Sequence, residues 1–143
     1  MRRIISKIES RRARLPLLLA LGLMLLVSAG CSKKYEHKRL AADSPEQARI
    51  VQLLAAVREA RAAGLDSVIA RDGVAELNAA DRRRLAGSLA ALAQADRVEL
   101  LKADRFGRDI CRATFQLTSG TRVRSISVLL KGEPDQLRWL QPN

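Results

Sequence analysis

Aromatic side chains and histidine are nearly missing from this 143-residue chain, which holds one Trp, one Tyr, two Phe and one His. With Tyr35, Phe106, Phe115 and Trp139 as the whole aromatic set, there is little on which bases could stack, and this weighs against a nucleic-acid partner. The single histidine, His37, stands in a polar, lysine-rich stretch that lacks the neighbours needed to complete a metal site. It is read as solvated and too remote to activate a serine or a thiol, so a hydrolytic triad is excluded. The glycines at 64, 73, 87, 107, 120 and 132 are isolated, which excludes a phosphate-cradling loop. Scattered Asp and Glu leave paired-carboxylate chemistry open as an alternative while singling out no pair. The sequence therefore offers no catalytic residue, no metal ligands and no cofactor site.

Acids are scarce as well, 15 against 26 Lys and Arg, for a net charge of +11. The excess is unevenly spread. Residues 1–30 hold six bases and one acid, and without them 20 bases face 14 acids, a net +6. The argument for a nucleic-acid partner from the high charge weakens with that segment.

What the chain does have is one long apolar run. Arg2, Arg3, Lys7, Arg11, Arg12 and Arg14, against Glu9 alone, precede an uncharged stretch from Leu15 to Gly30, and Cys31 follows directly. The positive end stays cytoplasmic while the apolar part enters the membrane. Sixteen residues with Pro16 near the start are short for a spanning helix, which wants about 20. Ser28, Ala29 and Gly30 form a small-residue approach suited to a signal-peptidase cleft.

Leu25-Leu26-Val27-Ser28-Ala29-Gly30-Cys31 resembles the lipobox of bacterial lipoproteins. The resemblance implies cleavage after Gly30 and acylation of Cys31, so that the lipid bilayer becomes a partner through the modified cysteine. Two or three acyl chains hold a protein durably, at about 0.8 kcal/mol per buried methylene. Ser32, where family logic reads aspartate as a signal for inner-membrane retention, implies the outer membrane on its periplasmic side, with the inner membrane as the alternative. Ser28 departs from the leucine usual three residues before the cysteine. With Cys31 acylated, Cys111 has no partner for an intramolecular disulfide, and stability must come from packing.

The organisation that follows is a cleavable signal over 1–30, an acylated cysteine and polar tether over 31–44, and a single domain over 45–143. Ser44, Pro45 and Gln47 predict a capping box and a helix to about Ala63, with Ile50, Leu53, Leu54, Val57 and Ala60 on its buried face and Gly64 as the stop. Asp66 is expected to cap a short helix over Ser67–Ala70. Asn78 is expected to cap a third helix with Leu85, Leu89 and Leu92 as its stripe. Arg82, Arg83 and Arg84 open that helix against its dipole and are read as a solvated face or an anionic contact.

After Asp96 the period becomes alternating, with strands expected over 97–103, 109–118, 121–131 and 137–140. Cys111, Ala113, Phe115 and Leu117 should share a buried face; a reactive Cys111 would need an exposed, electropositive setting. The fold class expected is α+β: N-terminal helices packed on a curved antiparallel sheet of three to four strands. Apolar residues on both faces of the third strand suit a convex side that meets another surface, such as a second copy in a homodimer. Helices followed by a meander, with Lys131-Gly132-Glu133 and Trp139 near the end, resemble small lipoproteins built on the nuclear-transport-factor-two-like, cystatin-like cone. That resemblance implies helices cupping a bent sheet, often with a pocket.

Function is expected to be a non-enzymatic binding or accessory role for an envelope protein or a small ligand. Two alternatives stand beside it: an enzyme using pocket carboxylates, and a basic sheet face of Arg112, Arg122 and Arg124 that binds anionic envelope polymers.

Overall fold

The computed structural model describes residues 37–142. Ser28, Ala29, Gly30 and Cys31, assigned above to cleavage and lipidation, lie outside the described residues. The described chain is α+β. Strand β1 (His37–Arg39) precedes three helices, α1 (Pro45–Ala60), α2 (Leu65–Asp72) and α3 (Ala79–Gln94). Four strands then follow in sequence: β2 (Arg97–Phe106), β3 (Ile110–Ser119), β4 (Arg122–Lys131) and β5 (Arg138–Pro142). The sheet order is β1-β2-β3-β4-β5 and every neighbour is antiparallel.

The helices begin where capping chemistry allows. Ser44 accepts a hydrogen bond from Gln47 N–H at 3.3 Å, and Pro45 takes the first helical position, where its missing donor goes unused. The return half of the capping box does not form, because the Gln47 amide donates instead to the Leu40 carbonyl. Asn78 caps α3 by accepting from Asp81 N–H at 2.8 Å. Two boundaries differ from expectation. α1 ends at Ala60 because Arg61 turns the chain at φ 54°, and a short 3-10 turn carries it to Gly64. α2 starts two residues early, at Leu65, so Asp66 lies inside its first turn and the cap position falls to Gly64.

The core is where the apolar periods predicted it. Ile50, Leu53 and Val57 of α1 and Leu85, Leu89 and Leu92 of α3 are buried with Cys111, Ala113, Phe115 and Leu117 of β3. Val128 and Leu130 of β4, Leu137 and Trp139 complete the same cluster. The opposite face of β3 and β4 carries Arg112, Thr114, Gln116, Ser125 and Ser127, with Val123 exposed and Leu129 half-buried.

The sheet has five strands rather than three to four, and the added one lies in the segment expected to be tether. His37, Lys38 and Arg39 pair with Phe106, Arg105 and Asp104, and Leu40 N–H donates to the Ala103 carbonyl at 2.9 Å. Among the described residues the domain thus extends at least eight residues before Pro45. A three-residue strand carries too little alternation to show in a sequence.

Polar clamps lock the two layers together. The Arg58 guanidinium, on α1, donates to the carbonyls of Leu92 (2.9 Å) and Ala95 (3.0 Å) and reaches that of Asp96 at 3.4 Å. It thereby satisfies the otherwise open C-terminal end of α3 and complements its dipole. Asp96 in turn accepts from Gly120 N–H at 2.7 Å, holding the β3–β4 turn. Gly73 lies against Trp139 in a bridge that runs alongside β5, and Val74 N–H donates to the Trp139 carbonyl.

Two glycines predict opposite outcomes. A Cβ on Gly73 would stand 2.4 Å from the Ile69 carbonyl oxygen, so Gly73→Ala should lower stability by about 1–3 kcal/mol. Gly87, in the middle of α3, has nothing within 4 Å of its would-be Cβ, so Gly87→Ala should raise stability by about 0.5–1 kcal/mol. Urea unfolding midpoints of both variants check the pair; equal shifts in the two would refute the close approach at Gly73.

Candidate functional site

The three arginines proposed as one basic face do not share a face. Arg112 pairs with Leu129 on the side of the sheet away from the helices, whereas Arg122 and Arg124 pair with Ser119 and Leu117 on the helix-facing side. Strand alternation decides this: Leu117 and Ser119 continue the buried register of Phe115, and the residues opposite them must point the same way.

Arg112 is also already engaged. Its Nη2 donates to Asp104 Oδ2 at 3.3 Å, and its guanidinium lies 4.8 Å from the centre of the Phe106 ring. Lys102 Nζ approaches the same oxygen at 3.8 Å, and His37 Nε2 stands 3.4 Å from Asp104 Oδ1. Asp104 is only 1% exposed although it sits on the outer side of the sheet. His37, Phe106, Lys102 and Arg112 surround it. Both carboxylate oxygens face cationic or cation-forming groups, so the cluster works as a strut that ties β1 to β2 and β3. His37, read as solvated from sequence, belongs to this strut, with its ring 4.9 Å from that of Phe106. The sequence contains a signal for the cluster in the alternation Lys102, Asp104, Phe106. It was obscured because the strand was expected to end at Ala103.

On the helix side, a second ion pair lies between layers. Arg105 Nε stands 3.3 Å from Glu46 Oε1 in the first turn of α1, and the Arg105 guanidinium also donates to the Arg108 carbonyl. Next to it, across the strand pair, is Cys111. Burial pushes the Cys111 thiol up to about 11; Glu46 and Asp104 add to that, and Arg105 opposes it. A thiol held protonated is a poor nucleophile, which fits its place in the core.

Surface hollows remain, one of them about 340 Å³ between α1 and α2 beside Glu59 and Arg71. A cleft of about 430 Å³ opens at one end of the sheet between the α2–α3 loop and the β4–β5 turn, lined by Glu76, Asp109, Lys131, Gly132, Glu133 and Arg138 among others. It gathers the Lys131-Gly132-Glu133 stretch but leaves Trp139 in the core. Gly132 is required there: its φ is 135° and a Cβ would meet the Gln136 carbonyl oxygen at 2.7 Å.

At the opposite end, β2, β3 and β4 project together, and Ser119 to Ser125 are exposed without interruption. Here Arg122 and Arg124 flank a groove of about 300 Å³ with Leu117 and Ser119. Among the described residues neither arginine takes part in an ion pair, so both remain available to an anion. The structure thus brings two of the three expected arginines together. Among the described residues, no three His, Cys, Asp or Glu side chains gather as a metal site.

Replacing Asp104 by Asn should destabilise the domain by about 2–4 kcal/mol, because Arg112 is left partly buried without its anion. Arg112→Leu in the same chain should recover most of that loss in chemical denaturation, and a neutral single variant would refute the strut. In the Cys31→Ser protein, Cys111 should react with a disulfide reagent at pH 8 about a hundredfold more slowly when folded than in urea, because burial pushes its thiol from an ordinary 9 up to about 11. The folded state holds this proton more tightly, so its contribution to stability is full below pH 9 and is lost as pH rises toward 11. No family model, curated protein or solved structure matches the chain.

Proposed function

We propose that the protein is a lipid-anchored component of the bacterial envelope, with the α+β domain acting as a non-enzymatic binding module for an envelope protein or a small ligand. The observation that carries the reading is the ordered series of a basic segment, the apolar run from Leu15, the small residues Ser28, Ala29 and Gly30, and Cys31. Acyl chains on Cys31 hold the domain at the membrane, and Ser32 favours the outer membrane on its periplasmic side.

Two features of the domain support binding over catalysis. Trp139, Phe115 and a set of leucines and isoleucines fill the space between helices and sheet, which is where a carboxylate enzyme built on this architecture would keep its pocket. The exposed polar chemistry lies instead on the surface, at the projecting end and in the mixed-charge cleft. No helix among the described residues is long and apolar enough to cross a membrane.

Growth on radiolabelled palmitate tests the anchor. The wild-type chain should take up label and sediment with membranes, while Cys31→Ser should lose the label and accumulate at the precursor mass. Equal labelling of the two chains would sink the anchoring half of the reading. Binding of an envelope protein is tested by photocrosslinking in intact cells from Ala75, in the cleft, and from Ser125, at the projecting end; silence at both positions would sink that partner class.

A further inference from the structure

β4 is ten residues long, and β3 pairs with all ten, from Arg122 to Lys131. β5 pairs with only four of them, Val128 to Lys131. Among the described residues the side of β4 away from β3 is therefore an open edge from Arg122 to Ser127, about 20 Å of strand at 3.3 Å per residue. Half of its backbone N–H and C=O groups lack a strand partner among the described residues. Such an edge is a template for strand addition.

The sheet has a second open stretch, on β2 from Arg97 to Lys102, but it is blunted. The register shifts between Leu100 and Lys102, and Arg97 forms an ion pair with Glu99 on the same strand. A bulge twists an edge away from incoming strands. The open part of β4 has no such irregularity; its register against β3 is unbroken, and the shift against β5 lies beyond it, at Leu129 and Leu130.

Resting on the binding-module reading, we propose that the open edge of β4 receives an extended acidic segment of a partner protein as a sixth strand. Charge selects the occupant. Arg122 and Arg124 project to the same side two residues apart, about 7 Å, and an added strand with acids at alternate positions would face both. On the other side, Val123 is 60% exposed and Ser125 follows it, so apolar or small residues suit the intervening positions. Main-chain bonds would supply affinity, and the two arginines would set charge and register.

The probe is a fluorescein-labelled nine-residue peptide of alternating glutamate and valine, titrated against the full chain in detergent and followed by anisotropy. It should bind at least tenfold more tightly than the lysine–valine counterpart. Binding should fall at least tenfold with Arg122→Glu/Arg124→Glu, and also with the same peptide N-methylated at alternate amides in both registers, which keeps charge but removes strand bonding. Lys131→Glu, in the cleft, should leave it unchanged.

Equal binding of the N-methylated peptides would overturn the proposal in favour of charge alone. So would arginine-dependent binding to phosphatidylglycerol vesicles with none to the peptide, which makes the end a membrane contact. Self-association of Arg122→Ser/Arg124→Ser without peptide binding would reduce the arginines to guards of the edge. Crosslinks from Ala75 alone, with none from Ser125, would remove this inference and leave the binding-module reading standing.

Discussion

Burial of one face of β3 is the constraint from which the rest of the domain follows. Cys111, Ala113, Phe115 and Leu117 are all close to fully buried, and side chains at alternate positions leave no other way to hide them than to cover that whole side. α1 and α3 supply the cover through Ile50, Leu53, Leu85, Leu89 and Leu92. β5 adds Trp139, the largest fully buried side chain. Since no disulfide joins the described elements, this apolar contact is the principal source of stability, and each polar feature is fitted around it.

The clamps show how little charge such a core needs when each charge meets a backbone end or a partner. Arg58 closes the last turn of α3, Asp96 holds the β3–β4 turn, and Asp104 collects the cations around β1. All three act at junctions, where regular hydrogen bonding stops and orphan groups would otherwise go unsatisfied. The order they impose reaches the base of the projecting end. Beyond it, Arg122 and Arg124 take part in no ion pair among the described residues, in contrast with Arg58, which meets carbonyls, and with Arg105 and Arg112, which face carboxylates.

Much of this architecture is legible in the chain. Pro45 after Ser44, the cap at Asn78 and the leucine stripe of α3 report local physics, which sequence carries directly. The buried alternation of β3 is visible for the same reason. Long-range pairing is another matter. β1 exists because residues 37–39 meet 104–106, and nothing in His-Lys-Arg announces a partner so distant. The same blindness hid the Asp104 cluster. It also allowed Arg112 to be grouped with Arg122 and Arg124, although the register of one hairpin places them on opposite sides of the sheet. The proposed acylation signal is the reverse case: the residues it is read from, Ser28 to Cys31, are local in the sequence and lie outside the described residues.

The strand order has a further consequence, in the time domain. Three of the four strand pairings, β2–β3, β3–β4 and β4–β5, join strands linked by short turns, so most of the sheet can zip locally, and low contact order favours fast folding. A chain that crosses a membrane unfolded, as the proposed export route demands, gains from that speed because its unpaired edges are exposed only briefly. β1 is the exception. It must close a loop that contains all three helices and rests on only three pairs, so β1 docks last, and under the proposed acylation of Cys31 that slowest event would fall close to the membrane.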